Sequence, residues 1–223
     1  MRVLVACEFS GVVREAFRAC GHDAWSCDLL PTEMPGQHIE GDVLNVLDQG
    51  WDLMIAHPPC TYLTNAGVRH LHSIPSRRGV VTAIHGEVRW QLMRESAAFF
   101  RTLLAAPIPR IAIENPIPHR YAVEEIGCKY YQIIQPWMFG HGETKSTCLW
   151  LRNLPPLFDS DVRLGREPRV HMTSPSPERW KIRSRTYPGI ARAMADQWGS
   201  LLTADIPCGQ KAAINVSRET GIY

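Results

Sequence analysis

The chain has 223 residues, 45% of them hydrophobic and 21% charged, with a formal net charge of +2. That length favours one folded unit, and the apolar fraction is enough for a sizeable core, which excludes wholesale disorder. No apolar run reaches the roughly 18 residues of a membrane span, and MRVLVACEF lacks a signal-peptide layout. The expectation is a soluble, cytoplasmic protein with no membrane partner. Seven cysteines, an odd number without CxxC spacing, argue against a disulfide framework or a zinc knuckle.

In chain order, Val3 to Ala6 suits a buried strand, Phe9-Ser10-Gly11 a turn, and VVREAFRAC a helix with Val12, Ala16 and Phe17 inward. Gly21 ends that helix, and His22 to Cys27 forms a second strand that closes at Asp28. A β-turn-α-β opening followed by an acid is one way to hold a nucleotide-type cofactor, because the acid can accept hydrogen bonds from ribose hydroxyls. Gly41-Asp42 precedes another short apolar stretch. Asp52 to Ala56 is a stronger strand, and it runs into His57-Pro58-Pro59-Cys60. Two prolines at a strand's carboxyl end stop the ladder and stiffen the loop. In an open α/β sheet that edge is where ligands bind.

Glu87 to Leu104 has helical spacing, with Trp90, Met93, Ala97, Phe100 and Leu104 on one face. Arg110 to Ile113 is a strand that delivers Glu114-Asn115-Pro116 to the same edge. Tyr130 to Ile134 and Thr147 to Leu151 form a strand pair, with FGHGETKS between them. Tyr187 to Leu202 is a last helix. The fold class is therefore α/β, a mostly parallel sheet with helices on both faces. A single domain spans 1–202, and 203–223 form a loose tail.

Three chemical groups gather at these strand ends: the thiol of Cys60, the carboxyl of Glu114 and the amine of Lys145. A pyrimidine is inert at carbon 5 until a nucleophile adds at carbon 6, and a thiolate suits that addition. The addition drives negative charge towards N3, where a carboxylic acid can donate or share a proton. A cation near the base carbonyl stabilises the same charge. The HxE triplets at His85-Gly86-Glu87 and His141-Gly142-Glu143, together with His57, invite a metal reading. A zinc deaminase needs H-x-E followed by P-C-x-x-C, and here Pro59-Cys60 comes first and Leu63 stands where the second cysteine belongs. No metal is expected. The tryptophans read mainly as core anchors.

These features resemble the cytosine-C5 DNA methyltransferase family. DLMIAHPPC carries its Pro-Cys motif at Pro59 and Cys60, and IAIENP its Glu-Asn motif at Glu114 and Asn115. Phe9-Ser10-Gly11 resembles its Phe-x-Gly cofactor turn, Asp28 its acid after the second strand, and Gly41-Asp42 its Gly-Asp step. PPC and IENP are also similar to segments of small phage-encoded members. The resemblance implies a Rossmann-like S-adenosylmethionine-dependent fold in a bacterial or phage-infected cell. By it, Phe9, Ser10, Gly11, Asp28, Asp42 and Pro58 would bind S-adenosylmethionine, and Cys60, Glu114 and Lys145 would be catalytic.

The sequence also departs from the family. Thr61 stands in place of its Gln, and its Gln-x-Arg-x-Arg pattern is absent, so Lys145 is a positional substitute. Only Arg152 to Ile182 leaves room for target recognition. The implied partner is DNA, duplex by preference and single-stranded as the alternative, with Arg163 to Arg185 available to track phosphates. Two other readings stay open: methylation of a free pyrimidine nucleotide or single-stranded nucleic acid, and a non-catalytic binding relic of the fold.

Overall fold

The computed structural model describes residues 1–72, 84–170, 172, 174, 176 and 178–201. Arg77, Arg78, Cys208, the end of the last predicted helix at Leu202 and the predicted tail lie outside the described residues. A seven-stranded sheet has the order β3-β2-β1-β4-β5-β7-β6. Its strands are β1 (Arg2–Ala6), β2 (Asp23–Asp28), β3 (His38–Glu40), β4 (Leu53–Ala56), β5 (Arg110–Pro116), β6 (Gln132–Ile134) and β7 (Thr147–Arg152). All run parallel except β7, which is antiparallel to both β5 and β6. The parallel strands thus follow the doubly wound, Rossmann-like order 3-2-1-4-5-6, with β7 inserted before the last.

The alternation along β1 explains why both faces are covered. Val3 and Val5 join one core with Val13 and Phe17 of α1 (Val12–Ala19) and Ile190, Met194 and Trp198 of α5 (Pro188–Gly199). Leu4 and Ala6 join the other, with Met93, Ala97 and Phe100 of α2 (Gly86–Leu104) and Ala122 and Ile126 of α3 (Arg120–Ile126). A strand buried on both faces must be apolar throughout, and β4 is buried at all four positions. Among the described residues no helix is long and apolar enough to cross a membrane.

Several expectations need correction. In α1 the buried residues are Val13, Arg14 and Phe17, whereas Val12 and Ala16 are half-buried. Arg14 is inside because it binds β2 and the chain after it: its guanidinium donates to Ser26 Oγ (2.8 Å), Thr32 Oγ1 (3.2 Å) and the Met34 carbonyl (2.6 Å). Of the expected inward residues on α2, Trp90 and Leu104 only pack against the core from its edge. The stretch after Gly41-Asp42 is a 3₁₀ turn, Val43–Asn45, not a strand. β5 continues through Glu114 to Pro116 because antiparallel β7 extends its ladder, pairing Glu114 with Leu149. Trp180, on α4 (Arg179–Ser184), is 51% exposed and not a core anchor; its ring lies 5.8 Å from that of Phe9.

Trp198 is 0% exposed and donates its indole N–H to the Pro155 carbonyl. Trp198→Ala should cost about 3–5 kcal/mol in urea unfolding. Leu164→Ala, at a residue 93% exposed, should stay within about 0.5 kcal/mol.

Candidate active site

Strand order reverses between β1 and β4, so the loops that leave their carboxyl ends diverge and open a crevice. From β1 come Cys7 to Gly11, and from β4 come His57 to Cys60. One cavity of about 90 Å³ is lined by Phe9, Ser10, His57, Pro58, Cys60, Glu114, Lys145 and the strap Arg183 to Thr186. A cleft of about 410 Å³ adjoins it, with Asp28, Leu29, Asp42, Leu44, Pro59 and Phe99 in its wall. Cys7 lines both, so it marks where the two meet.

The turn after β1 is built by Glu8, which the sequence reading overlooked. Its buried carboxylate accepts hydrogen bonds from the Val13 N–H (2.7 Å), the Arg14 N–H (3.2 Å) and Ser10 Oγ (3.1 Å). A carboxylate there satisfies the free N–H groups of α1 and suits its positive end. Ser10 turns its hydroxyl inward to Glu8. Gly11 sits at φ 75°, and a side chain there would meet the Arg14 guanidinium at 2.7 Å, so the position takes glycine. Phe9 and Ser10 line the Cys60 cavity; neither they nor Gly11 line the larger cleft. Pro58 also faces the Cys60 cavity, and it is Pro59 that borders the cleft.

In that cleft, Asp28 Oδ1 accepts from the Leu30 N–H (3.0 Å), and burial raises its pKa above the ordinary carboxylate value. Asp42 is exposed and caps the 3₁₀ turn through the Leu44 N–H (3.0 Å). Two carboxylates beside an apolar wall of Leu29, Leu44 and Phe99 offer acceptors that fit ribose hydroxyls and a face that fits a flat purine. A volume in the hundreds of cubic ångströms is ordinary for such a ligand.

Cys60 is half-buried, and its own carbonyl accepts from the N–H groups of Leu63 (3.1 Å) and Thr64 (3.2 Å), which tightens the loop behind it. Burial and then the Glu114 charge raise its pKa, while Lys145 and Arg183 pull the other way. The neighbouring Cys7 thiol, pushed up to about 12 by burial and by Asp28, is the weaker nucleophile. Lys145 Nζ lies 3.5 Å from the Arg185 carbonyl and 5.9 Å from the Tyr187 ring centre. Gln135 holds that loop, accepting the Lys145 N–H at 2.9 Å and donating to Ser146 Oγ at 2.6 Å.

The most informative partner is His57. Its Nδ1 is 2.9 Å from Glu114 Oε2, and the two side chains are only 12% and 11% exposed. Burial alone would make both groups neutral. For Glu114 the hydrogen bond and charge of His57, helped by Lys145, overcome it and hold the carboxyl below its ordinary range. For His57 the Glu114 hydrogen bond and the charges of Glu114 and Glu8 overcome it and raise the imidazole above its ordinary value. Each group thus favours the charged form of the other. His57 reads in the sequence as a candidate metal ligand; among the described residues no group of three or more His, Cys, Asp or Glu could hold a metal. Its pairing has no sequence signature, since 57 positions separate it from Glu114.

Arg163, Arg169 and Arg185 of the basic stretch are taken up by Asp161, by Glu167 with Glu143, and by Glu33. Arg166 stacks on Trp137, its guanidinium carbon 3.8 Å from the ring centre. Arg183 has no hydrogen bond or ion pair to any described residue, and it faces both the Cys60 cavity and a second cleft that also holds Lys145, Arg169 and Arg185.

No protein-family model matches the chain, and no curated protein does. Among solved structures it is similar to a candidate DNA modification methyltransferase encoded within an E. coli prophage. That similarity has a TM-score of 0.44 and 10% identity, over 73% of this chain and 52% of that one. The chain thus spans about half the length of that structure.

The pair has a consequence for stability. A raised imidazole pKa adds stability that is complete below the unfolded value near 6.5 and is lost as pH rises through the folded value. The extra urea resistance of the wild type over His57→Gln should therefore shrink as pH rises above about 6.5 and through the raised folded value. A difference that grows over that range would contradict the pairing.

Proposed function

We propose that this chain transfers a methyl group from S-adenosylmethionine to carbon 5 of a cytosine in DNA, with Cys60 as the nucleophile. The observation that carries this reading is the meeting of Cys60 and Glu114, from the ends of β4 and β5, in one cavity. The cleft next to it has carboxylates suited to a ribose. Bound there, S-adenosylmethionine supplies an electrophilic methyl group on a sulfonium. Asp28 would hold the ribose and Asp42 would lie near the adenine amine. Phe9, Ser10 and Pro58 would act at the methyl-transfer end rather than around the adenosine, and Gly11 would shape the turn that carries them.

On the acceptor side, the Cys60 thiolate adds to carbon 6 of the base, Glu114 assists at N3, and Lys145 steadies the developing charge. The raised pKa of Cys60 leaves its thiol largely protonated before substrate arrives, so attack begins from the minor ionised form. A base in a duplex must leave the stack to reach so enclosed a cavity. The guanidinium of Arg183, unpaired among the described residues, and the amine of Lys145 suit a phosphate beside that base.

A free pyrimidine nucleotide is the second reading. It is favoured by how few cations of the basic stretch lack a carboxylate partner. One assay separates the two: methyl transfer from labelled S-adenosylmethionine to duplex DNA, single-stranded DNA, RNA and cytidine nucleotides. Label should enter duplex DNA and fall to background in Cys60→Ala. Transfer to nucleotides alone would overturn the substrate, and undiminished transfer by Cys60→Ser would overturn the mechanism.

Arg183→Gln should weaken DNA binding alike for all sequences. It should also lower the slope of log affinity against log salt by about 1, measured by fluorescence anisotropy. An unchanged slope would remove Arg183 from the DNA contact.

A further inference from the structure

The base ring needs a proton at N3, and Glu114 is held towards its carboxylate form by the pair it makes with His57. His57 stands at hydrogen-bond distance and can supply that proton. Its Nδ1 is 2.9 Å from Glu114 Oε2, both side chains are close to fully buried, and the pair shares its cavity with Cys60. The other ring nitrogen, Nε2, is sealed from solvent and has no hydrogen-bond partner among the described residues. A buried imidazole with one ring nitrogen unsatisfied costs stability, which marks it as a candidate for a role beyond packing. The loop supports the same view, because Pro58 and Pro59 fix the backbone directly after His57.

We propose, on the basis of the methyl-transfer reading above, that His57 is the proton store for Glu114, passing a proton through that carboxyl to N3 of the base and taking it back at the end of each turnover. Attack by the Cys60 thiolate forms the Sγ–C6 bond. The C5=C6 pair moves to C4–C5, and the C4=N3 pair moves onto N3. N3 takes a proton from Glu114 as Glu114 takes one from Nδ1, which leaves neutral imidazole and an ionised carboxylate. Carbon 5 then takes the methyl group from the sulfonium of S-adenosylmethionine, whose S–CH3 bond breaks. Carbon 5 loses its hydrogen to solvent, the Sγ–C6 bond breaks to free the thiolate, and the N3 proton returns through Glu114 to His57. His57 is thus a positioning residue that acts through Glu114.

The charges around His57 agree with this role. Glu8 after β1, Asp28 at the end of β2 and Glu114 on β5 favour the imidazolium. Lys145, before β7, opposes it, and Arg183 and Arg185 line the same cavity. Cys60 is uncharged in its resting form, as is Cys7. On balance these charges, with the Glu114 hydrogen bond, raise the His57 pKa, so the ring holds a proton more readily than a free imidazole and can release it when a substrate competes for Glu114.

The experiment is the pH profile of methyl transfer by wild type and His57→Gln, with 15N NMR of the His57 ring alongside. In the wild type, kcat should rise with Cys60 ionisation and fall as pH climbs through the raised His57 pKa. His57→Gln should lose that falling limb and about 10²-fold in kcat, with KM within about twofold. The ring should titrate above the ordinary imidazole range in the wild type and lower in Glu114→Gln. The NMR arm stands even where His57→Gln folds poorly. An active wild type whose His57→Gln keeps both kcat and the falling limb overturns the proton store and leaves the reaction standing. So does a His57 ring already neutral below pH 6.5. A wild type that methylates no acceptor removes the reaction, and this role with it.

Discussion

Strand order reverses between β1 and β4, and almost everything at the site descends from that reversal. To the β2 side of β1 the connections climb one way; from β4 onward they climb the other. The loops after these two strands therefore part, leaving a crevice whose floor is the carboxyl end of the sheet. Cys7 to Ser10 form one wall and His57 to Cys60 the other. β5 adds Glu114 from the floor, and β7, antiparallel beside it, anchors the loop that carries Lys145. A different strand order with the same residues would scatter these groups along the sheet edge.

The crevice is also where the fold concentrates buried charge, and each charge is held by a definite partner. Glu8 closes the start of α1, Arg14 ties down the chain after β2, and His57 and Glu114 hold each other. Removing one member of such a pair leaves the other uncompensated in a poor solvent for ions. This arrangement keeps polar groups rigid beside a reactive, half-buried thiol. It also explains why Cys60 rests protonated: burial first, and then the Glu114 carboxylate, raise its pKa, against the pull of Lys145 and Arg183.

Much of this was legible in the sequence, for physical reasons. β1, β4 and β5 are buried on both faces, so each reads as a short unbroken apolar run, and the chemistry follows directly after them in the chain. Pro58 and Pro59 announce the end of β4, and so the place of Cys60. The residues that escaped sequence reading depend on contacts across long separations. Glu8 looks like any acid after a strand until α1 turns back on it. Arg14 sits on what periodicity marks as a solvent face, and it is buried because the loop through Met34 folds over it. His57 gains its meaning only from Glu114, two elements later. The basic stretch misleads because three of its arginines spend their charge on acids of the same chain, Arg163 on Asp161 and Arg169 on Glu167 close by and Arg185 on distant Glu33.

The proposed chemistry turns on one covalent bond, between Cys60 Sγ and carbon 6 of the target base. Duplex DNA containing 5-fluorocytosine tests it most directly. Fluorine cannot leave carbon 5 as a proton does, so after methyl transfer the adduct cannot eliminate. Incubation with S-adenosylmethionine followed by denaturing intact mass and peptide mapping should give a protein–DNA adduct on Cys60, absent from Cys60→Ala. Transfer of methyl groups to ordinary DNA with no trapped adduct, or an adduct on any other residue, would contradict the account.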